Sequence, residues 1–344
     1  MKIRRIDLHD DALLHQYYVT MRAADLYERE RMPYWSEHAA AVMFRREEPG
    51  EQWHFFAAFD GEGDDEHIVG TAYMVLPLSD NLQFAFLGVA VAPENRCRGI
   101  GSALAEYVVA EARKTGRTRL TGEMNIPFEE REAHPYRRFA ERHGFSLANV
   151  EISRILELPV SDDQLAEWID ESAPHHPGYR IETFVDEIPK ELVPSLVHVR
   201  NQLAADAPTG DLDFEAEKMT PEEFEIRREK AKEMGRTIFE TVAIDDSDGT
   251  GKVVAHSTLA VPNDDPGNVY QWGTLVLREH RGHRLGMAVK ARNLRAVQQA
   301  YPDRKRVITS NAEVNAPMVS INERMGFKPV ELMAEFQRTY DEPA

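Results

Sequence analysis

The stretch from Pro93 to Ser102, Pro-Glu-Asn-Arg-Cys-Arg-Gly-Ile-Gly-Ser, sets two arginines and two glycines between an apolar run and a helical pattern. Leaving a strand and opening a helix, such a loop presents successive backbone N–H groups at the positive end of a helix dipole, which suits an anion. Gly99 and Gly101 would let the backbone approach a phosphate with no Cβ in between, and Arg96 and Arg98 would add charge and forked donors. Taken alone, the same residues also describe a tight strand-to-helix turn with two surface arginines. A second stretch, Arg281-Gly282-His283-Arg284-Leu285-Gly286, repeats the pattern 185 residues on (281 − 96). Arg284 replaces the middle glycine there. It fits if its backbone angles are ordinary, because an anion is met by amides and not by side chains. With His280, Lys290 and Arg292, this second loop is locally basic.

The elements that would position these loops also come twice. The first half opens with a strand and a helix, followed by strands at 53–60, 67–77 and 84–92. After the loop come an amphipathic helix with Leu104, Val108 and Ala112 at helical spacing, a strand at 118–125, a helix ending at Gly144 and closing strand material at 145–158. The second half repeats the order, with strands at 179–189, 237–245, 252–262, 269–277, 306–314 and 327–340 and helices at 221–235 and 316–326. A period near half of 344 residues means a duplicated domain, not a solenoid. We therefore expect domains at 1–158 and 179–344, joined by a linker at 159–178 that is acidic, then rich in Pro and Gly, with a short helix.

Bulk composition narrows the function classes. A net charge of −18 argues against nucleic acid or an anionic membrane as partner, and favours approach of a cationic small molecule. Cys97 is the single cysteine, which excludes an intrachain disulfide framework and a multi-cysteine zinc site. The histidines His54, His134 and His256 stand isolated and read as structural, and no spacing indicates a metal. The opening residues carry no apolar signal-type run, and no segment is apolar enough to span a bilayer, so the expectation is a cytoplasmic monomer or homodimer.

Val91, Pro93, Arg96, Gly99 and Gly101, placed after a fourth strand, together resemble the acyl-CoA pyrophosphate loop of the GNAT superfamily of N-acetyltransferases, Arg/Gln-x-x-Gly-x-Gly/Ala. The order of elements in both halves resembles that fold too, so the resemblance covers nearly all of the chain outside the linker. The tandem arrangement is like that of mycothiol synthase-type and related actinobacterial acetyltransferases. The resemblance implies an α/β (α+β) chain of two tandem GNAT folds, each a mixed, mostly antiparallel sheet flanked by helices. It implies acetyl-CoA as cosubstrate and no metal. The amides of Cys97, Arg98, Gly99, Ile100, Gly101 and Ser102 would surround the pyrophosphate, and Val89 and Val91 would pair with the pantetheine amides. In the second copy the matching residues are Val276, Arg281, Gly282, His283, Arg284, Leu285, Gly286 and Met287. Direct transfer from acetyl-CoA needs no nucleophile, so Cys97 is read as a loop residue.

Acetyl transfer to an amine needs the neutral amine, a polarised carbonyl and a proton for the departing thiolate. In the family a Tyr four residues before a Gly-Phe pair often supplies that proton, and an Asn seven residues before the Tyr marks the helix start. Here those positions hold Ala140 and Ala133 in the first half, with Tyr136 one turn upstream, and Asn322 and Asn315 in the second. Glu123, on the fifth strand, is the candidate base, and Glu313 its rough counterpart. Tyr270 and Trp272 either line an acceptor pocket or pack in the core. The implied function is N-acetylation of a small, cationic amine. A non-catalytic acyl-CoA sensor or scaffold, motivated by the missing tyrosines, and a protein N-acetyltransferase stand as alternatives.

Overall fold

The computed structural model describes residues 1–29, 31–48, 50–206, 210–212, 214–215, 218–247, 249 and 251–342. The chain divides into two compact units: unit 1 is Met1–Val150, Thr209–Glu215 and Leu332–Ala344, and unit 2 is Glu151–Pro208 and Ala216–Glu331.

Unit 1 runs β1 (Lys2–Ile6), α1 (Asp11–Asp25), α2 (Glu37–Arg45), β2 (Glu51–Asp60), β3 (His67–Pro77), β4 (Phe84–Val91), α3 (Ile100–Lys114), β5 (Arg119–Pro127) and α4 (Pro135–Arg142). Strand alternation decides which helix each residue meets. Phe55, Ala57 and Phe59 on β2 pack with Leu14 and Tyr17 of α1 and Ala40 and Phe44 of α2. The intervening Phe56 and Ala58 pack with Ile100, Leu104 and Val108 of α3. Helices on both faces explain why β3 is buried at nearly every position. Its neighbours β2 and β4 are antiparallel to it, whereas β4 and β5 run parallel.

A strand, β6 (Ser146–Glu157), then leads into unit 2: α5 (Asp162–Ser172), β7 (Tyr179–Val185), α6 (Val193–Asp206), α7 (Pro221–Glu233), β8 (Arg236–Asp245), β9 (Lys252–Pro262), β10 (Asn268–Val276), α8 (Leu285–Ala300), β11 (Arg306–Ala312) and α9 (Ala316–Arg324); the last strand, β12 (Lys328–Thr339), falls mostly in unit 1. Thr220 and Glu223 cap α7 reciprocally, each bonding the other's backbone N–H. The sheet order is β6-β11-β10-β9-β8-β7, and only β10 and β11 pair in parallel.

Two features depart from the sequence reading. The segment expected as a linker contributes α5, whose Leu165, Trp168 and Ile169 are buried in the unit 2 core with Met287, Leu294 and Val297. The closing strands are exchanged: residues 151–157 of β6 pair with β11 in unit 2, while residues from Leu332 onward belong to unit 1. Each closing strand mixes apolar and polar residues in the same way, so its sequence does not record which sheet takes it. Among the described residues no helix is long and apolar enough to cross a membrane.

Candidate active site

In each unit a parallel strand pair comes apart beside a helix start. β4 and β5 pair only at Phe84, Ala85 and Phe86, against Arg119, Leu120 and Thr121, and then diverge. β10 and β11 do the same after Asn268, Val269 and Tyr270. Among the described residues Asp10, Ser36, His134, Ser161, Thr220 and Asn315 cap helices with their side chains. α3 and α8, which follow the diverging strands, are not so capped: their cap positions are Gly99 and Arg284, with no side-chain bond. Their first-turn amides are therefore left for another acceptor, as an anion site requires.

Both loops turn through two left-handed residues, Cys97 (φ 61°) and Gly99 (φ 85°) in unit 1, and Gly282 (φ 86°) and Arg284 (φ 51°) in unit 2. Arg284 thus does not have the ordinary angles expected of it. The loop path demands the left-handed region, and each copy places glycine at only one of the two positions. Arg96 and Arg281 also differ from expectation, because their guanidinium groups bond groups of the protein itself, Arg96 half-buried and Arg281 at the surface. Arg96 donates from Nε to the Val91 carbonyl (3.2 Å) and from Nη2 to that of Ala24 (3.0 Å), with its guanidinium 4.5 Å from the Tyr27 ring and 5.6 Å from that of Tyr136. Arg281 donates to the Val276 carbonyl (3.2 Å) and to Asp206 (2.8 Å). These arginines fix the loop to its strand. Arg98 bonds Asn95 and Asp60 at the surface.

The two cradles differ in access. Gly101 and Ser102 are partly open, whereas Gly286 and Met287 are buried. In unit 2 the loop side chains bond the end of α5 and the turn after it: His283 Nδ1 meets the His175 carbonyl (3.1 Å) and Arg284 donates to that of Glu171 (3.2 Å).

The catalytic candidates fare unevenly. Val89 and Val91 lie on β4 past the divergence, and Glu123 is exposed on β5. Tyr136 sits in the first turn of α4 with its ring against Arg96, so it braces the loop. Asn315 caps α9 by accepting from the Met318 N–H (3.4 Å), and buried Asn322 donates to Asn311 Oδ1 (2.6 Å). Glu313 lies beyond β11. Matching the strand registers of the two units places Ser310, not Glu313, at the level of Glu123. The reading of the sequence missed Tyr73. This β3 residue lies opposite Gly88 of β4, and a Cβ at Gly88 would fall 2.1 Å from the Tyr73 ring. Burial and the charge of Glu123 push its phenol up to about 12, so it stays protonated and able to donate.

It also missed a buried cluster in unit 2. His256, called isolated, bonds Glu240 through Nδ1 at 2.9 Å, and both residues are 1% exposed. Thr258 and Arg200 donate to the same carboxylate. Burial would raise Glu240, but Arg200, His256 and Thr258 outweigh it and hold the carboxyl below its usual range. Burial keeps His256 low despite Glu240, hence neutral. A cavity of about 310 Å³ opens on this cluster, with Trp272 and Gly273 of the β10 bulge in its wall. Tyr270 packs in the core. Glu240 was legible as a lone charge inside an apolar strand. Among the described residues no group of His, Cys, Asp and Glu has the placement to hold a metal.

Residues 20–145 match the family model described as acetyltransferase (GNAT) family. The whole chain is similar in fold to a tandem GNAT protein from the clavulanic acid biosynthesis pathway, at 24% identity and a TM-score of 0.78, covering 100% of this chain and 98% of that one. It is also similar to a GCN5-related N-acetyltransferase from Sphaerobacter thermophilus, at 13% identity, TM-score 0.62, and 98% and 95% coverage. A third likeness, at 15% identity and TM-score 0.66, is to a glucosamine N-acetyltransferase region of a fungal multi-domain β-N-acetylglucosaminidase, 98% of this chain against 38% of that one. No curated protein sequence matches the chain.

Proposed function

We propose, from the premise that residues 20–145 form an acetyltransferase domain of the GNAT family, that the chain moves an acetyl group from acetyl-CoA to a small amine, with unit 1 holding the donor. The observation that carries this reading is the uncapped, partly open start of α3 beside the diverging β4 and β5. The amides from Cys97 to Ser102 meet the pyrophosphate, and Val89 and Val91 align the pantetheine arm along β4. Glu123 takes a proton from the approaching ammonium, and the net charge of −18 favours such a cation near the protein. The freed amine attacks the thioester carbonyl, the C–S bond breaks, and Tyr73 supplies the thiolate with its proton. The second proton of the attacking nitrogen returns through solvent to the Tyr73 phenolate, so that one proton, the one taken by Glu123, is released overall. Tyr73 thereby fills the role that Ala140 leaves vacant.

Calorimetric titration of acetyl-CoA tests the reading. Ser102→Glu places a carboxylate at the third position of α3, which favours the helix but repels a pyrophosphate. One site per chain is expected, weakened about 100-fold or more by Ser102→Glu, on the order of 3 kcal/mol, and unchanged by His283→Glu. Loss with His283→Glu alone would move the donor to unit 2, and absence of binding would overturn the proposal.

A further inference from the structure

Unit 2 holds a second site of different chemistry. Where unit 1 packs Phe55 and Tyr73 at facing positions of β2 and β3, unit 2 has Glu240 and Thr258 at the matching positions of β8 and β9. Thr258 lines a cavity of about 310 Å³ in unit 2, near the lower end for small-molecule sites. Arg200 of α6 and Arg227 and Arg228 of α7 line it, and among the described residues no carboxylate does, in a chain of net charge −18. Glu240 lies behind the wall and is matched by Arg200, which leaves the lining positive. Phe224 and Trp272 supply apolar walls.

His256 gives the site its direction. Its Nδ1 is committed to Glu240, so in the neutral ring Nε2 is an acceptor. That Nε2 is buried with no partner among the described residues, and the His256 side chain lines the cavity. The ring faces Gly273 at the β10 bulge, where a Cβ would come 3.6 Å from Cε1 and 3.0 Å from Leu203. Nε of Arg200 is likewise buried and without a partner, while its Nη2 serves Glu240 and Thr258. An unsatisfied acceptor and an unsatisfied cationic donor on one wall call for a ligand with both complements.

We propose that this cavity binds a small molecule bearing a carboxylate beside an N–H or O–H donor, the anion lying between Arg200 and Arg228 and the donor on His256 Nε2. Amino acids, N-acylamino acids and hydroxy acids share that chemistry. Arg228 also faces Glu225 on the outer side of α7, so its substitution leaves an exposed carboxylate and not a buried one.

The test is calorimetry on the full chain with a panel of small amino acids, N-acetylamino acids and hydroxy acids, each beside its carboxamide, with no acetyl-CoA present. At least one acid is expected to bind more than about tenfold tighter than its amide, as a charged hydrogen bond implies. Arg228→Met should remove most of that preference while leaving thermal unfolding unchanged. Binding should weaken on acidification, where protonation of His256 converts the acceptor to a donor. Amides binding as well as acids, an unaffected Arg228→Met, or no binding by any pair would each overturn the proposal. Because no acyl donor is present, the outcome is independent of acetyl transfer in unit 1.

Discussion

At the divergence of β4 from β5, unit 1 is walled by hydrocarbon and rings. Ala72, Val89, Ala105 and Val108 lie on the α3 side, and Phe55 and Tyr73 face α1 and α2. At positions 185 residues later unit 2 has Ser257, Thr274, Lys290, Asn293, Glu240 and Thr258. Lys290 donates to Gln271 (3.1 Å), which bonds Ser257 and the Thr258 and Gly273 carbonyls, and Asn293 donates to the Phe239 and Ser257 carbonyls. The frame has been kept while the chemistry inside it has been inverted. A buried polar set of this size is stable only when nearly every member is partnered, so the second copy trades some stability for a polar interior. The cradles differ at the helix start alone, where Gly101 and Ser102 are partly open and Gly286 and Met287 buried, while the turn residues 97–99 and 282–284 are exposed in both units.

The strongest way to break this comparison is to remove the phenol on which unit 1 relies. Tyr73→Phe keeps the ring against Gly88 but deletes the proton donor. We expect kcat to fall by about 100-fold or more, in the range for general acids, with acetyl-CoA affinity unchanged. With the phenol near 12, Tyr73 contributes no alkaline limb to the wild-type rate below about pH 10. A variant that retains full kcat would return the acid to another residue.

Next in size is the buried pair of unit 2. Glu240→Gln leaves Arg200 and His256 facing a neutral amide, and we expect a loss of about 2–3 kcal/mol in denaturant unfolding. That is below the usual figure for a broken buried pair, since Arg200 is 24% exposed. The sign with pH follows from both partners. His256 binds a proton less readily folded than unfolded, so stability falls as pH drops below about 6.5. Glu240 is also depressed, which adds a second loss as pH falls below about 4.5. A flat profile between pH 7 and 5 would contradict the assignment.

Why the loops were legible in the sequence and these residues were not is a matter of distance along the chain. Arg96, Gly99 and Gly101 act within one turn, so spacing alone marks them, and their recurrence as Arg281 and Gly286 exposed the duplication. Tyr73 and Gly88, or Glu240 and His256, meet across neighbouring strands, and a one-residue slip in register would separate them. The order of elements along the chain was readable because most central strands are bounded runs rich in apolar residues. α6 was not, because Pro194 falls inside its run of buried residues, although Leu192, Val193, Leu196, Val197 and Val199 recur at helical spacing. The exchanged closing strands depend on tertiary pairing and leave no local mark.

A smaller effect sharpens the contrast at the helices. Lys290 is fully buried and lowered to about 7, while its counterpart Ala105 is apolar. Between about pH 7 and 10 the unfolded chain holds one more proton than the native one, so wild-type stability should rise over that window. Lys290→Met should abolish the rise and stabilise the protein near pH 7 by about 1–2 kcal/mol, a few degrees in Tm. Destabilisation would mean that the bond to Gln271 outweighs the cost of burying the ammonium.

The smallest expected change concerns the loops themselves. Cys97 is exposed and holds φ 61°, where Gly282 stands in the second loop. A left-handed L-residue costs about 1–2 kcal/mol, but glycine loses about 0.5–1 kcal/mol more on folding through its freer unfolded chain. Cys97→Gly should therefore stabilise by about 0.5 kcal/mol, and Gly99→Ala, at φ 85°, should destabilise by about 1 kcal/mol. Acetyl-CoA affinity should follow neither change closely if amides alone form the cradle, because both variants keep every N–H in place. A large loss of affinity in Cys97→Gly would instead give the thiol a part in binding and separate the two loops by chemistry as well as by access.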